Sequence, residues 1–382
     1  MLPGLFDDVM GVRLFGYISF RIVMAALTGF VLALGLGGPV IAWLKSHRVG
    51  ERADKTDAPA LAEEAKRTGK QDTPTMGGSF LVGSLLVAVL LWARLDNLYV
   101  VLGVVLTMGL AAVGFVDDFK KLTIEGSKGL SARAKMRGLT VVAGGVLCGL
   151  GWYAWSSGRG EVVALFPPFF KDRELALLDW GLLGVALYVA FAWFVVVGSA
   201  NASNIVDGLD GLAAGSMIIS GGALTIFCYV MGRWDWTGYL GLPHVRPASE
   251  MAVVGGALMG ACMGFLWHNA YPARVFMGDS GSLPLGGLLA WMALVSKQEL
   301  VLPLIALVFV LDLSSSALQT FYFRRTGGKR LFTCAPVHHG LQLYGGVFKP
   351  GPAKWHEVTV VVRFWILGAC GALASLALLK VR

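Results

Sequence analysis

Residues Asn97–Lys121 read NLYVVLGVVLTMGLAAVGFVDDFKK. A charge-free run, Asn97–Val116, leads straight into two aspartates, a phenylalanine and two lysines. As a helix rising about 1.5 Å per residue, the apolar part is long enough to cross about 30 Å of hydrocarbon. The charged end must then lie where that helix meets water. The apolar residues show no period-two alternation, so this is not the pattern of a membrane-spanning strand.

The same reading extends along the chain. Charge-free apolar runs cover Ile22–Leu44, Thr75–Ala93, Gly138–Gly158, Trp180–Ser199, Gly211–Gly232, Met251–Trp267, Ser280–Ser296 and Phe364–Leu379. A further run, Leu300–Phe323, carries one charge, Asp312. The expectation is an all-α polytopic integral membrane protein of about ten transmembrane helices, forming one membrane domain over residues 1–382. Composition agrees: of 382 residues, 56% are hydrophobic and 15% charged, against about 25% charged in soluble domains. Mean hydropathy is +0.67. A soluble enzyme, a disordered chain and a fibrous repeat are excluded. The five cysteines (Cys148, Cys228, Cys262, Cys334, Cys370) form no CxxC pair and read as reduced packing residues. The acidic start MLPGLFDDVM does not read as a cleavable leader.

Ten spans put both termini on one side, and the basic residues choose that side. Loops at about 45–74, 117–137, 199–210, 268–279 and 324–357 hold 20 Lys and Arg, and the opposite loops with both tails hold 10. The positive-inside rule makes the first set cytoplasmic and the termini external or periplasmic. The formal charge of +8 is spread over these short loops. It suits anionic lipid and an anionic substrate, and no nucleic acid is implied. Gly256, Gly260 and Gly264 recur every fourth residue, the spacing of a close helix–helix contact.

The carboxylates carry the functional signal. Asp117 and Asp118, then Asp207 and Asp210 in NASNIVDGLDGLA, then Asp279 in VFMGDSGSL, all fall at helix boundaries on the basic side. One aspartate at a helix end is ordinary capping, but five from three distant segments at similar depth suggest a site. Clustered carboxylates repel and protonate unless a cation sits among them. An all-oxygen ligand set selects Mg²⁺, Mn²⁺ or Ca²⁺, and Mg²⁺ commonly completes its shell with phosphate oxygens. Lys120, Lys121 and Lys128 follow the aspartate pair and suit phosphates, although positive-inside topology alone also explains lysines there. Asn201 and Asn204 add amide groups able to bond a base or sugar. His338 and His339 share a polar loop without zinc-ligand spacing. Asp312, inside an apolar run, must face the bundle interior, with Ser314, Ser315, Ser316 and Gln319 as polar neighbours.

Six motifs together resemble the polyprenyl-phosphate N-acetylhexosamine-1-phosphate transferase superfamily. They are TPTMGG (Thr73–Gly78), GFVDDFKKL (Gly114–Leu122), SKGLSAR (Ser127–Arg133), NASNIVDGLDGLA (Asn201–Ala213), VFMGDSGSLPLGG (Val275–Gly287) and APVHH (Ala335–His339). The resemblance is strongest to the branch acting on muramoyl-pentapeptide. It implies transfer of phospho-N-acetylmuramoyl-pentapeptide from UDP-N-acetylmuramoyl-pentapeptide to undecaprenyl phosphate, giving lipid I and UMP, with Mg²⁺ as cofactor. It implies residence in the cytoplasmic (inner) membrane, and pairing of two copies there as a family trait.

The resemblance also assigns roles. Asp117, Asp118, Asp279 and His338 are the catalytic set, and Asp279, Asp117 and Asp118 are the metal ligands. Lys121 contacts diphosphate. Asn204, Asp207 and Asp210 form the nucleotide side, Phe276 stacks on uracil, Lys70 touches the nucleotide edge, and His339 binds substrate beside His338. The family's third histidine and following Phe-Glu are replaced here by Gly340, Leu341 and Gln342. Two other readings remain open from sequence. One is a sister enzyme moving N-acetylglucosamine-1-phosphate. The other is an ion-coupled transporter, whose acids belong near the bilayer midplane.

Overall fold

The structure, a computed structural model, describes residues 13–47, 63, 70, 73–124, 127, 129–168, 170 and 174–380. Lys128 and the acidic start of the chain lie outside the described residues. Helices form at all ten apolar runs. Among the described residues the α-helices begin with α1 (Ile18–Ser46), α2 (Gly78–Trp92), α3 (Leu98–Thr123), α4 (Ala132–Ser157), α5 (Gly181–Val206) and α6 (Leu212–Met231). A short α7 (Trp234–Leu240) precedes α8 (Ala248–Asn269) and α9 (Asp279–Val295). Then come α10 (Leu302–Ile305), α11 (Leu307–Arg325), α12 (Val337–Tyr344) and α13 (Glu357–Ala377). A two-residue hairpin, β1 (Ala164–Leu165) against β2 (Leu175–Ala176), is the only strand pairing among the described residues. Of these helices, 7 are long and apolar enough to cross a membrane.

The helix starts follow capping chemistry. The Asn97 side chain accepts from Tyr99 N at 2.9 Å to open α3, and the Ser131 hydroxyl accepts from Ala134 N at 3.3 Å to open α4. Two details differ from the sequence expectation. The run Leu300–Phe323 is broken at Ala306 into α10 and α11. The Ile305 carbonyl at the break accepts the Ser220 hydroxyl of α6 at 2.9 Å, so the interruption leaves that acceptor satisfied within the bundle. Second, α3 continues to Thr123 and α5 to Val206, about two turns past the ends of the apolar runs at Val116 and Ser199. Asp117, Asp118 and Asn204 therefore sit on helical turns and not in loops. A charge ends an apolar run in the sequence, but it does not end a helix whose charged face meets protein partners.

The expected glycine contact is present. A Cβ at Gly256, Gly260 or Gly264 of α8 would strike the backbone carbonyl of Ile22, Ala26 or Phe30 of α1, so these glycines let the two helices touch along their length. At one end of the bundle Arg21 pairs with Glu250 through two bonds of 2.7 and 2.6 Å, and Glu250 also accepts from Arg94 N. This buried pair ties α1, α8 and the α2–α3 turn together. The outer faces of α1 and α5 expose Val23, Leu27, Val31, Leu182 and Phe194, as lipid contact requires. Trp234, Trp236 and Tyr239 of α7 are exposed at the Arg21 end, in the manner of an interfacial aromatic belt. Every motif lies at the other end.

Candidate active site

Three buried clusters make up that end. The first joins Asp117 and Asp118 to Asp279. Each offers an oxygen, and the three lie within 4.8 Å of one another. Gly114, one turn before Asp117 on α3, makes the approach possible, since a Cβ there would collide with the Asp279 carbonyl. Asp118 acts as a remote cap for α9, accepting from Asp279 N at 3.2 Å and Ser280 N at 2.9 Å. Gly278, at φ +73°, turns the chain into α9. A side chain there would crowd Asp118 Oδ2. Asp117 accepts from Leu130 N at 2.7 Å, which fastens the SKGLSAR segment over the aspartate pair.

Two lysines balance most of this negative charge. Lys121 Nζ lies 2.6 Å from Asp117, 3.6 Å from Asp118 and 3.5 Å from Asp279. Lys135 Nζ lies 2.6 Å from Asp279 Oδ2 and donates to Asn204 Oδ1 at 3.1 Å. Asn204 in turn donates to Asp279 Oδ1 at 2.6 Å and to the Ser282 hydroxyl at 3.0 Å. Three carboxylates against two ammonium groups leave a net negative, all-oxygen pocket. That donor set fits a hard divalent cation of the Mg²⁺ type.

The second cluster surrounds Lys70. Its Nζ donates to Asp210 Oδ1 at 2.6 Å and to both oxygens of Glu357 at 2.7 and 2.8 Å. Glu357 also accepts from Asp210 N at 2.7 Å, and Asp210 Oδ2 accepts from Ala273 N at 2.9 Å. Both oxygens of Asp210 are thus engaged by protein. The alternative of Asp210 as an ordinary side-chain cap of α6 does not hold: the helix opens at Gly211, in left-handed conformation and with no capping side chain. Gly211 N instead donates to Asn269 Oδ1 at 3.0 Å. Asp207, at the end of α5, accepts from Gly278 N at 3.2 Å, linking this loop to the aspartate cluster. Asn201 donates back to Val197 O within α5 at 2.7 Å. Half-buried Phe276 lies where TPTMGG docks: Phe276 N donates to Pro74 O, Gly77 N to Phe276 O and Gly78 N to Met277 O, at 2.8, 2.9 and 2.8 Å.

The third cluster holds the histidines. His338 opens α12 and lies 2.7 Å from Asp312 of α11, both fully buried. Asp312 thus faces the interior as expected, but its partner is His338 and not the neighbouring serines. The His339 ring lies 4.2 Å from that of His338, tilted by 60°, and its Nδ1 lies 3.3 Å from Gln342 Oε1. Burial pushes the His339 imidazole down to about 3. Gln342 Nε2 reaches Glu357 at 3.5 Å, which connects this cluster to the second. Gly340 is buried, and a Cβ there would press on Thr333 Oγ1 at 3.0 Å. A third imidazole would need this neighbour to give way.

Lys135, Asn269 and Glu357 were not legible as site residues. In sequence Lys135 is one of six loop cations, and Glu357 is an acid at a helix start. Their partners lie 144 and 287 positions away.

The structure is thus that of a polytopic helical membrane protein with a buried aspartate–lysine pocket at one end of its bundle. Residues 100–297 match glycosyl transferase family 4, and the chain belongs to that family. It is 40% identical, over all of its own length and 99% of the other's, to the phospho-N-acetylmuramoyl-pentapeptide-transferase of Thermodesulfovibrio yellowstonii. It is 42% identical, over 97% of its length and 96% of the other's, to the protein of the same name from Desulfatibacillum aliphaticivorans.

Proposed function

We propose that this protein transfers phospho-N-acetylmuramoyl-pentapeptide from UDP-N-acetylmuramoyl-pentapeptide to undecaprenyl phosphate, releasing UMP and forming lipid I. The observation that carries the reading is the triad Asp117, Asp118 and Asp279, interleaved with Lys121 and Lys135, at the motif-bearing end of a membrane bundle. The names of the full-length relatives support the choice of sugar. The basic loops support a cytoplasmic site in the cell's inner membrane, where a soluble nucleotide substrate and a lipid phosphate meet.

In the reaction an oxygen of the lipid phosphate bonds to the phosphorus attached to the sugar, and the bond from that phosphorus to the UMP oxygen breaks. Both partners are anions, so their repulsion dominates the barrier. Asp279, Asp117 and Asp118 would hold Mg²⁺, which supplies charge neutralisation to the phosphates when bound. Lys121 and Lys135, drawn toward the carboxylates in the structure, are in reach to neutralise phosphate oxygens as they enter. Asn204 and Asp118 keep Asp279 oriented. Asp207, Asp210 and Lys70 form the nucleotide side, and Phe276 offers a ring face for uracil. Beside Asn204 a groove of about 640 Å³ runs past Ile205, Leu313, Ala317 and Phe321 to Arg324 and Arg325. Its apolar walls and cationic end suit a lipid chain ending in phosphate.

The test is UMP release by protein purified in detergent, with undecaprenyl phosphate and either UDP-N-acetylmuramoyl-pentapeptide or UDP-N-acetylglucosamine, with and without Mg²⁺. Release with the first sugar alone, abolished by chelation, is the expected result. Preference for the second sugar would assign the sister reaction, and no release with either would return the transporter reading.

A further inference from the structure

The Asp312–His338 pair is fully buried, and the transfer mechanism above does not use it. Asp312 Oδ2 lies 2.7 Å from His338 Nδ1, with side-chain exposures of 0% and 0%. An aspartate placed inside a membrane helix is costly unless paired, and its surroundings are otherwise arranged to receive the histidine. The Ser315 hydroxyl donates to the Asp312 carbonyl at 2.8 Å and accepts from Val337 N at 3.2 Å. The first turn of α12 is thereby seated on α11, with a long bond of 3.5 Å from His338 N to Asp312 Oδ1 beside it.

Seating explains the serine and the long Oδ1 contact, but not the short 2.7 Å contact of Asp312 Oδ2 with the imidazole. The other ring nitrogen, His338 Nε2, is buried and has no hydrogen-bond partner among the described residues. It faces Gly208, where an added Cβ would lie 2.7 Å from Nε2 and 2.9 Å from His339 Nε2. Gly208 is exposed and stands between Asp207 and Leu209 in the loop assigned to the nucleotide. A carboxylate on Nδ1 fixes which nitrogen carries the proton: Nδ1–H donates to Asp312, so Nε2 keeps its lone pair.

We propose that Asp312 is a positioning residue for the transfer reaction. It holds His338 in the Nδ1–H tautomer and so presents a bare Nε2 acceptor beside Gly208, for a hydroxyl or N–H donor of the nucleotide sugar. This rests on the functional reading above. Asp312 touches no substrate group and acts only through His338. A neutral acceptor here would match a polar donor, while Lys121 and Lys135 stand beside the aspartates for the phosphates.

The experiment compares wild type, Asp312→Asn, Asp312→Glu and His338→Gln in detergent. It measures kcat and KM for UMP release with UDP-N-acetylmuramoyl-pentapeptide, and ¹⁵N imidazole spectra of histidine-labelled protein, with His338→Gln assigning the His338 signals. Asparagine has nearly the same shape but can offer its NH₂ to Nδ1 and move the ring proton to Nε2. Asp312→Asn should lose about 10–100-fold in kcat/KM, as outer partners of a functional histidine do, with a shift of the His338 signals toward the Nε2–H form. Asp312→Glu should restore the wild-type tautomer and most of the activity. Wild-type kcat/KM in Asp312→Asn would overturn the proposal, and so would lost activity with the His338 tautomer unchanged, which would make the pair merely structural. Inactive wild-type protein would instead refute the functional reading on which the proposal rests.

Discussion

Replacing Lys135 by methionine should tighten divalent-cation binding while slowing turnover. Lys135 Nζ sits 2.6 Å from Asp279 Oδ2, an oxygen of the carboxylate proposed above as a metal ligand. At an effective dielectric of 20 the bare Coulomb attraction at that distance is about 6 kcal/mol, an upper bound before desolvation. A charge-assisted hydrogen bond is worth about 1.5–3 kcal/mol net. An incoming cation must displace this ammonium group or share the carboxylate with it. Removing the lysine also changes the pocket from three carboxylates and two ammonium groups to three and one. Methionine keeps the apolar stem and its packing. At tenfold per about 1.4 kcal/mol, cation affinity should rise about 10–100-fold. Turnover should fall by about 10²-fold or more, because a phosphate-neutralising group is gone. Mn²⁺ titration followed by the paramagnetic resonance of the free ion, together with UMP release at saturating Mg²⁺, reads both effects. Unchanged or weaker Mn²⁺ binding in folded Lys135→Met protein would refute the assignment of Asp279 to the cation site.

Three further outcomes follow from the same geometry. Asp117→Asn, Asp118→Asn and Asp279→Asn should each cut UMP release by about 10²–10³-fold or more; near-wild-type turnover in Asp279→Asn would remove it from the site. Gly114→Ala should be inactive or unstable, since the new Cβ meets the Asp279 carbonyl, whereas Gly144→Ala on α4, with open space around it, should leave melting temperature and turnover unchanged. Acid stability should depend on His339. Its folded pKa is about 3 against an ordinary 6.5, so below 6.5 the unfolded chain takes up a proton that the folded chain refuses. Stability is therefore lost as pH falls from about 6.5 toward about 3. Thermal midpoints in that range should drop less steeply for His339→Gln than for wild type.

The apolar runs sufficed to show where the helices lie, because hydrocarbon tolerates only segments that satisfy their own backbone. The same logic put Asp117, Asp118, Asp207, Asp210 and Asp279 at the end of the bundle that carries the basic loops. The Gly256–Gly260–Gly264 contact was legible too, since a four-residue repeat marks one helix face. Which groups meet across that end was not legible. Lys135 bonds Asp279, Glu357 bonds Lys70, and Asp312 bonds His338 across separations of 144, 287 and 26 residues. No local periodicity encodes such pairings. They arise where helices converge, at glycines such as Gly114 that let one backbone reach another. The sequence by itself determined a helical membrane protein with its acids gathered at one boundary. Only the tertiary structure decided which cation or ring each acid faces, because a charge buried in a bundle is stable only against the partner that packing brings to it.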